Sequence, residues 1–239
     1  MDFESNLAEI RQRMDTAAAK SGRAPGAVTL LAVSKTHPPA AIEAAAVAGL
    51  RYFGESKIQE ARAKIPQCPG HLRWHFIGHL QSNKCREAVE LFSMIQGVDS
   101  LALAQEINKR AEQAAKTMPV LLEVNVAGEA SKFGYRPEAL LAEWAALNEL
   151  PRLEIQGLMT VPPYVTDAEN ARPHFVRLRE LKAVCEQRLG APLPHLSMGM
   201  SGDYVVAIEE GATIVRIGTA LFGKRQYAAS KSAPGETGE

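Results

Sequence analysis

Lys35 directly follows the run Val28-Thr29-Leu30-Leu31-Ala32-Val33-Ser34, which is apolar and rich in β-branched residues. A lysine closing such a strand is poorly solvated. Desolvation lowers an ammonium's pKa and raises the share of neutral amine, the nucleophile that forms imines with aldehydes. On position alone, a lysine that stretches its stem to water is the more ordinary reading. Ser201-Gly202-Asp203, within HLSMGMSGDY at 195–204, offers different chemistry: a hydroxyl, a bare backbone and a helix start in succession. Free N–H groups and the dipole at a helix start attract anions, although a capped helix after a glycine turn looks the same. Arg216 interrupts the strand-like run TIVRIGTALFG at 213–223. An unpaired buried charge is very costly, so Arg216 faces either an ion-pair partner or the mouth of a site. Gly218-Thr219 then adds more small, N–H-rich backbone.

These groups act together only if the fold gathers them at one end. Phe3, Leu7, Ile10, Met14, Ala17 and Ala18 recur at helical spacing before Gly22, which predicts an amphipathic first helix. Short apolar runs follow near 28–34, 51–54, 73–77, 94–98, 119–126, 153–158, 195–198 and 213–217. Between them lie helix-forming stretches at 39–48, 56–65, 83–92, 100–116, 137–148, 168–189 and 203–210. The alternation implies βαβ units and a parallel sheet. About eight strands suit a closed single-domain (β/α)8 TIM barrel over 1–225 better than the alternative, an open doubly wound sheet. In a barrel, Lys35 follows the first strand, Ser201 the seventh, and Gly218 the eighth. Active sites of barrels sit at that C-terminal end, and phosphate binds after strands seven and eight. Residues 226–239 are small and polar and read as a frayed tail.

The composition narrows the class. The 239 residues are 46% hydrophobic with zero net charge, which does not favour nucleic acid or an anionic membrane as a partner. No run is long and apolar enough for a membrane span, and the N-terminus is acidic and polar, unlike a signal peptide. Three widely spaced cysteines make no disulfide framework and fit a reducing, cytoplasmic setting. His75 and His79 lie four apart, but Trp74-His75-Phe76-Ile77 reads as strand, where four residues span roughly 13 Å, so no shared metal is expected. GLRYFG at 49–54 has P-loop glycine spacing, yet Glu55 stands where lysine is required. Glu129 and Lys132 in GEASKFG are as readily a solvated pair as functional residues, and Cys185 shares a helical core face with Phe175, Leu178 and Leu181.

AVSKTHP (32–38), FGESKIQE (53–60), WHFIGHLQSNK (74–84), VNVAGEASKFG (124–134), GLMTVPP (157–163), SMGMSGD (197–203) and RIGTALFG (216–223) run through nearly the whole chain in order. Together they closely resemble the pyridoxal 5'-phosphate (PLP) homeostasis protein family, a PLP-binding barrel like the N-terminal domain of alanine racemase. The resemblance implies a fold-type III barrel with PLP held as a Schiff base on Lys35. It implies Arg216 beside the pyridine nitrogen and Ser201, Gly202, Gly218 and Thr219 around the phosphate. Ser56, where the family usually has asparagine, and Met198 are further candidate contacts. The implied role is non-catalytic, keeping PLP and amino-acid pools balanced, with PLP-requiring apo-enzymes as candidate recipients.

Arginine has no acceptor and stays protonated, so a ring nitrogen facing Arg216 would stay unprotonated and the ring would be a weaker electron sink. That suits a carrier, or racemisation, better than transamination. The alternative is a monomeric amino-acid racemase, which needs acid/base groups on both faces of a carbanion. Lys35 could serve one face, whereas Tyr52, Tyr135, Tyr164 and Tyr204 are not placed by sequence. In alanine racemase a second domain helps to build the dimer. With no such domain in this sequence, a monomeric carrier is expected.

Overall fold

A computed structural model describes residues 3–129 and 131–223; the expected tail at 226–239 lies outside them. Helix α1 (Phe3–Lys20) precedes eight strands: β1 (Thr29–Val33), β2 (Tyr52–Glu55), β3 (Arg73–Phe76), β4 (Met94–Val98), β5 (Met118–Glu123), β6 (Leu153–Met159), β7 (His195–Ser197) and β8 (Ile214–Ile217). Between successive strands lie α2 (Pro39–Val47), α3 (Ile58–Lys64), α4 (Cys85–Leu91), α5 (Leu101–Gln113), α6 (Pro137–Asn148), α7 (Arg172–Leu189) and α8 (Tyr204–Glu209), and α9 (Thr219–Phe222) follows β8. Every strand pairs in parallel with its sequence neighbour, and β8 returns to β1 through Leu30↔Val215 and Leu31↔Arg216. The barrel is closed, as the strand count predicts, so no sheet edge is left exposed.

Alternation along each strand divides the core. Leu31, Met94, Leu121, Met159 and Ile214 pack together inside the barrel. Leu30, Ala32, Ile95, Val120, Leu122, Val215 and Ile217 point the other way, into a larger layer shared with the helices. Cys85 and Cys185 belong to that layer, as expected of Cys185, and burial raises their thiols to about 12 and about 11. Among the described residues no helix is long and apolar enough to cross a membrane.

Two sequence boundaries move. The fifth strand ends at Glu123 rather than at 126, because the Asn125 side chain organises the following loop. Its amide donates to the Glu129 carbonyl at 2.7 Å, and its oxygen accepts from the Gly128 N–H at 3.0 Å. Lys35 lies in a turn two residues beyond β1 rather than closing the strand. The Ser34 N–H still donates to the Gly54 carbonyl (3.1 Å), but Thr36 then takes φ 69° and leaves the ladder.

Candidate functional site

The barrel gathers the separated sequence clusters at one end. Lys35 is half-buried in the turn after β1, Ser201 and Gly202 form the turn after β7, and Gly218-Thr219 follows β8 directly. Two contacts knit these loops together. Ser201 Oγ accepts the Ala220 N–H at 3.2 Å. A Cβ added to Gly218 would sit 3.4 Å from Val33 Cβ, so the end of β8 rests against the end of β1.

The phosphate-type cradle differs in kind from the helix start expected. Helices α8 and α9 have six and four residues, too short for a strong macrodipole. Individual N–H groups supply the polarity instead. Among the described residues nothing accepts from the backbone N–H groups of Gly202, Gly218 or Thr219, and a Cβ at Gly202 would meet nothing within 4 Å. Donors left unspent around open space suit an anion. Asp203 does not point its charge there: its Oδ1 takes the Met200 N–H at 2.6 Å, which shapes the turn that presents Ser201.

Arg216 is 4% exposed and lies on the inner side of β8 with Ile214. No carboxylate among the described residues bonds it. Nη1 donates to Ser197 Oγ and Nη2 to the Thr160 carbonyl, both at 2.7 Å. The structural ion pair is therefore replaced by neutral acceptors, and burial lowers the guanidinium to about 10, opposed by Glu123 and Asp203. Arginine has five N–H donors, and described residues accept two bonds from them.

The bond to Ser197 begins a buried chain that sequence reading missed. Ser197 Oγ donates to Gln96 Oε1 at 2.6 Å, and Gln96 Nε2 lies 2.9 Å from His75 Nδ1. Arginine can only donate. Each following group must then donate onward, and His75 Nδ1 must accept, leaving its proton on Nε2. Burial, and secondarily His195, lower His75 to about 4, so it is neutral as this chain requires. His79 has another role. It pairs with Asp99 at 3.1 Å and stacks on the Phe133 ring at 3.7 Å. The histidines thus serve different partners. The signal for the chain was present in parity: Gln96 stands two residues from inward-facing Met94 within an otherwise apolar strand.

The remaining candidates fall in different places. Ser56 is half-buried in the turn after β2, and Gly78 is pressed against it: a Cβ at 78 would lie 2.3 Å from the Ser56 carbonyl oxygen. Met198 is fully buried among the helix-facing core residues, so its side chain serves packing. Glu129 and Lys132 do pair, at 3.4 Å, both partly exposed. Glu123, unnoticed in the sequence, ends β5 two residues after inward-facing Leu121 and is 8% exposed. Burial, then Asp99, raise its carboxyl to about 7 against the pull of Arg216. The residues flanking Lys35 are anchored to β2 through Glu55 and to α3 through Glu60 and Lys64.

An amine in the turn after β1, a cradle of unspent N–H groups and a donor-only arginine on the adjacent strand fit a phosphorylated aldehyde with a basic ring nitrogen. The comparisons agree with that fit. Residues 5–226 match the family model described as alanine racemase, N-terminal domain. The chain is 48% identical to a pyridoxal phosphate homeostasis protein of Pseudomonas aeruginosa, over 95% of this chain and 97% of that one. It is 45% identical to the protein of the same name from Aquifex aeolicus, over 95% of this chain and all of the other. Among solved structures it resembles PipY of Synechococcus elongatus PCC7942 with PLP bound, at 39% identity and TM-score 0.82, covering 93% of this chain and 100% of PipY. This chain belongs to the pyridoxal phosphate homeostasis proteins, a branch of the alanine racemase N-terminal domain family.

Proposed function

We propose that this protein binds PLP on Lys35 and serves PLP and amino-acid homeostasis as a holder of the cofactor rather than as a strong catalyst. The observation that carries this reading is the tie between the loops after β7 and β8, Ser201 Oγ to Ala220 N–H, beside unspent N–H donors and next to the Lys35 strand. When bound, PLP supplies an aldehyde that condenses with an amine and a ring that withdraws electrons. The chain's own residues do the rest. Lys35 offers the amine. Ser201, Gly202, Gly218 and Thr219 would hold the phosphate by charge-assisted hydrogen bonds. Arg216 would face the pyridine nitrogen with a donor and no acceptor, which would disfavour a proton there, weaken electron withdrawal and disfavour turnover. The names of the relatives at 48% and 45% identity, and PLP in the PipY structure, support the same assignment.

The finer reading is a monomer in the cytoplasm that passes PLP to PLP-requiring apo-enzymes. Phe133 and Tyr164, exposed on the loops after β5 and β6, are the surface such a recipient would meet at the C-terminal end. The function is tested by incubating the PLP-loaded protein with L- and D-amino acids in deuterated water. Slow α-proton exchange without net inversion beyond that of free PLP is expected. Multiple-turnover racemisation that disappears in Lys35→Ala would make the chain a racemase.

A further inference from the structure

Thr36 has φ 69°. A β-branched residue in the left-handed region is strained and persists only where its surroundings hold it. Here the strained residue directly follows Lys35, and α3 supplies the hold. Glu60 Oε1 accepts the Thr36 N–H. On the other side of Lys35, Ser34 Oγ donates to Glu55 Oε1 at 2.7 Å. One buried ammonium joins both ends. Lys64 is 6% exposed. Its Nζ donates to Glu60 Oε1 (2.7 Å), Glu55 Oε1 (2.7 Å) and the Ser34 carbonyl (2.8 Å). Three acceptors use all three of its N–H groups.

A buried ion pair is a poor source of net stability, because desolvation offsets its attraction and apolar residues of similar size often do as well. What apolar residues could not supply is direction: bonds to a particular N–H and a particular carbonyl on either side of one lysine. We infer that Glu60 and Lys64, with Glu55, are positioning residues that set the orientation of Lys35 by holding Thr36 in its strained conformation. This rests on Lys35 being the PLP-bearing lysine.

The test measures the rate at which PLP added to the PLP-free protein is taken up, trapped by borohydride and mapped by mass spectrometry. Lys64→Met leaves Glu55 buried without its cation and risks unfolding, so Glu60→Ala, at a partly exposed position, is the primary variant. It is made alone and together with Thr36→Gly, since glycine adopts positive φ without strain. Uptake should slow about ten- to a hundredfold in Glu60→Ala, at a temperature where circular dichroism shows it folded. The double variant should recover most of that loss. A purely structural role would lower the melting temperature in Glu60→Ala and leave uptake alone. Wild-type uptake in Glu60→Ala, or slow uptake that Thr36→Gly does not restore, overturns the inference while leaving the adduct on Lys35. An adduct on another lysine in the unsubstituted protein overturns the assignment of Lys35 and this inference with it.

Discussion

The Arg216 guanidinium donates to Ser197 Oγ at 2.7 Å, and that hydroxyl has one direction left for its proton, Gln96 Oε1 at 2.6 Å. Any bond that Arg216 made to a ligand would thereby be coupled to Ser197 of β7, Gln96 of β4 and His75 of β3. Removing the hydroxyl leaves two buried groups short of a partner, which costs roughly 1–3 kcal/mol for each group left unsatisfied. Ser197→Ala is therefore expected to lower the denaturant midpoint clearly and to shift the absorbance of bound PLP, although Ser197 need not touch the cofactor. Unchanged stability would mean that Arg216 does not depend on this acceptor.

Arg216 itself is best tested by a cation. A glutamate at 216 would set a carboxylate against the Thr160 carbonyl and add to the charge of Glu123, so loss of folding would say nothing about the ring. Arg216→Lys keeps a donor-only charge without the planar fork. The variant should fold and bind PLP with an altered absorbance spectrum and pH titration. An unaltered spectrum and titration would separate Arg216 from the ring.

Two buried groups titrate in opposite senses. Burial lowers His75 from 6.5 to about 4; the stability tied to its neutral form is complete above pH 6.5 and is lost as pH falls towards 4. Burial and Asp99 raise Glu123 from 4.5 to about 7; the stability tied to its neutral form is complete below pH 4.5 and is lost as pH rises through 7. Their effects oppose each other between pH 4.5 and 6.5. Glu123→Gln removes one of them. In the PLP-free protein it should be more stable than wild type at pH 8, by roughly 1–3 kcal/mol, and equal to it near pH 4.5. Chemical denaturation at both values checks this, and a variant less stable at pH 8 would show Glu123 to be paired in its charged form.

The phosphate cradle permits a clean separation of folding from binding. A Cβ at Gly202 meets nothing within 4 Å, and the residue has no positive φ. Gly202→Ala should keep the wild-type melting temperature while weakening PLP at least about tenfold, about 1.4 kcal/mol. Ser201→Ala should weaken it too, and pyridoxal without phosphate should bind far more weakly than PLP. Equal binding of pyridoxal and PLP would remove the phosphate from residues 201–202 and 218–219.

The barrel was legible because the apolar run at 28–34 and its later counterparts alternate with helical stretches, and a parallel strand buried on both faces has little polar character to hide it. Arg216 was legible as a lone charge in such a run. Its partners were not, because Ser197, Gln96 and Thr160 come from other strands and meet it only after closure. The anchoring of Lys35 was half-visible: Glu60 and Lys64 stand four apart, as neighbours on a helix face do, but nothing local says that this face covers the turn after β1. Met198 shows the converse. It lies within a matching segment, yet its side chain packs in the helix-facing core.

The proposed function turns on which lysine carries PLP. PLP-loaded protein reduced with borohydride, digested and analysed by mass spectrometry should carry the phosphopyridoxyl group on Lys35, and Lys35→Ala treated in the same way should carry none. A reduced group on Lys57, Lys64 or any other lysine of the unsubstituted protein, or no group at all after incubation with excess PLP, would rule out Lys35 as the PLP-bearing residue.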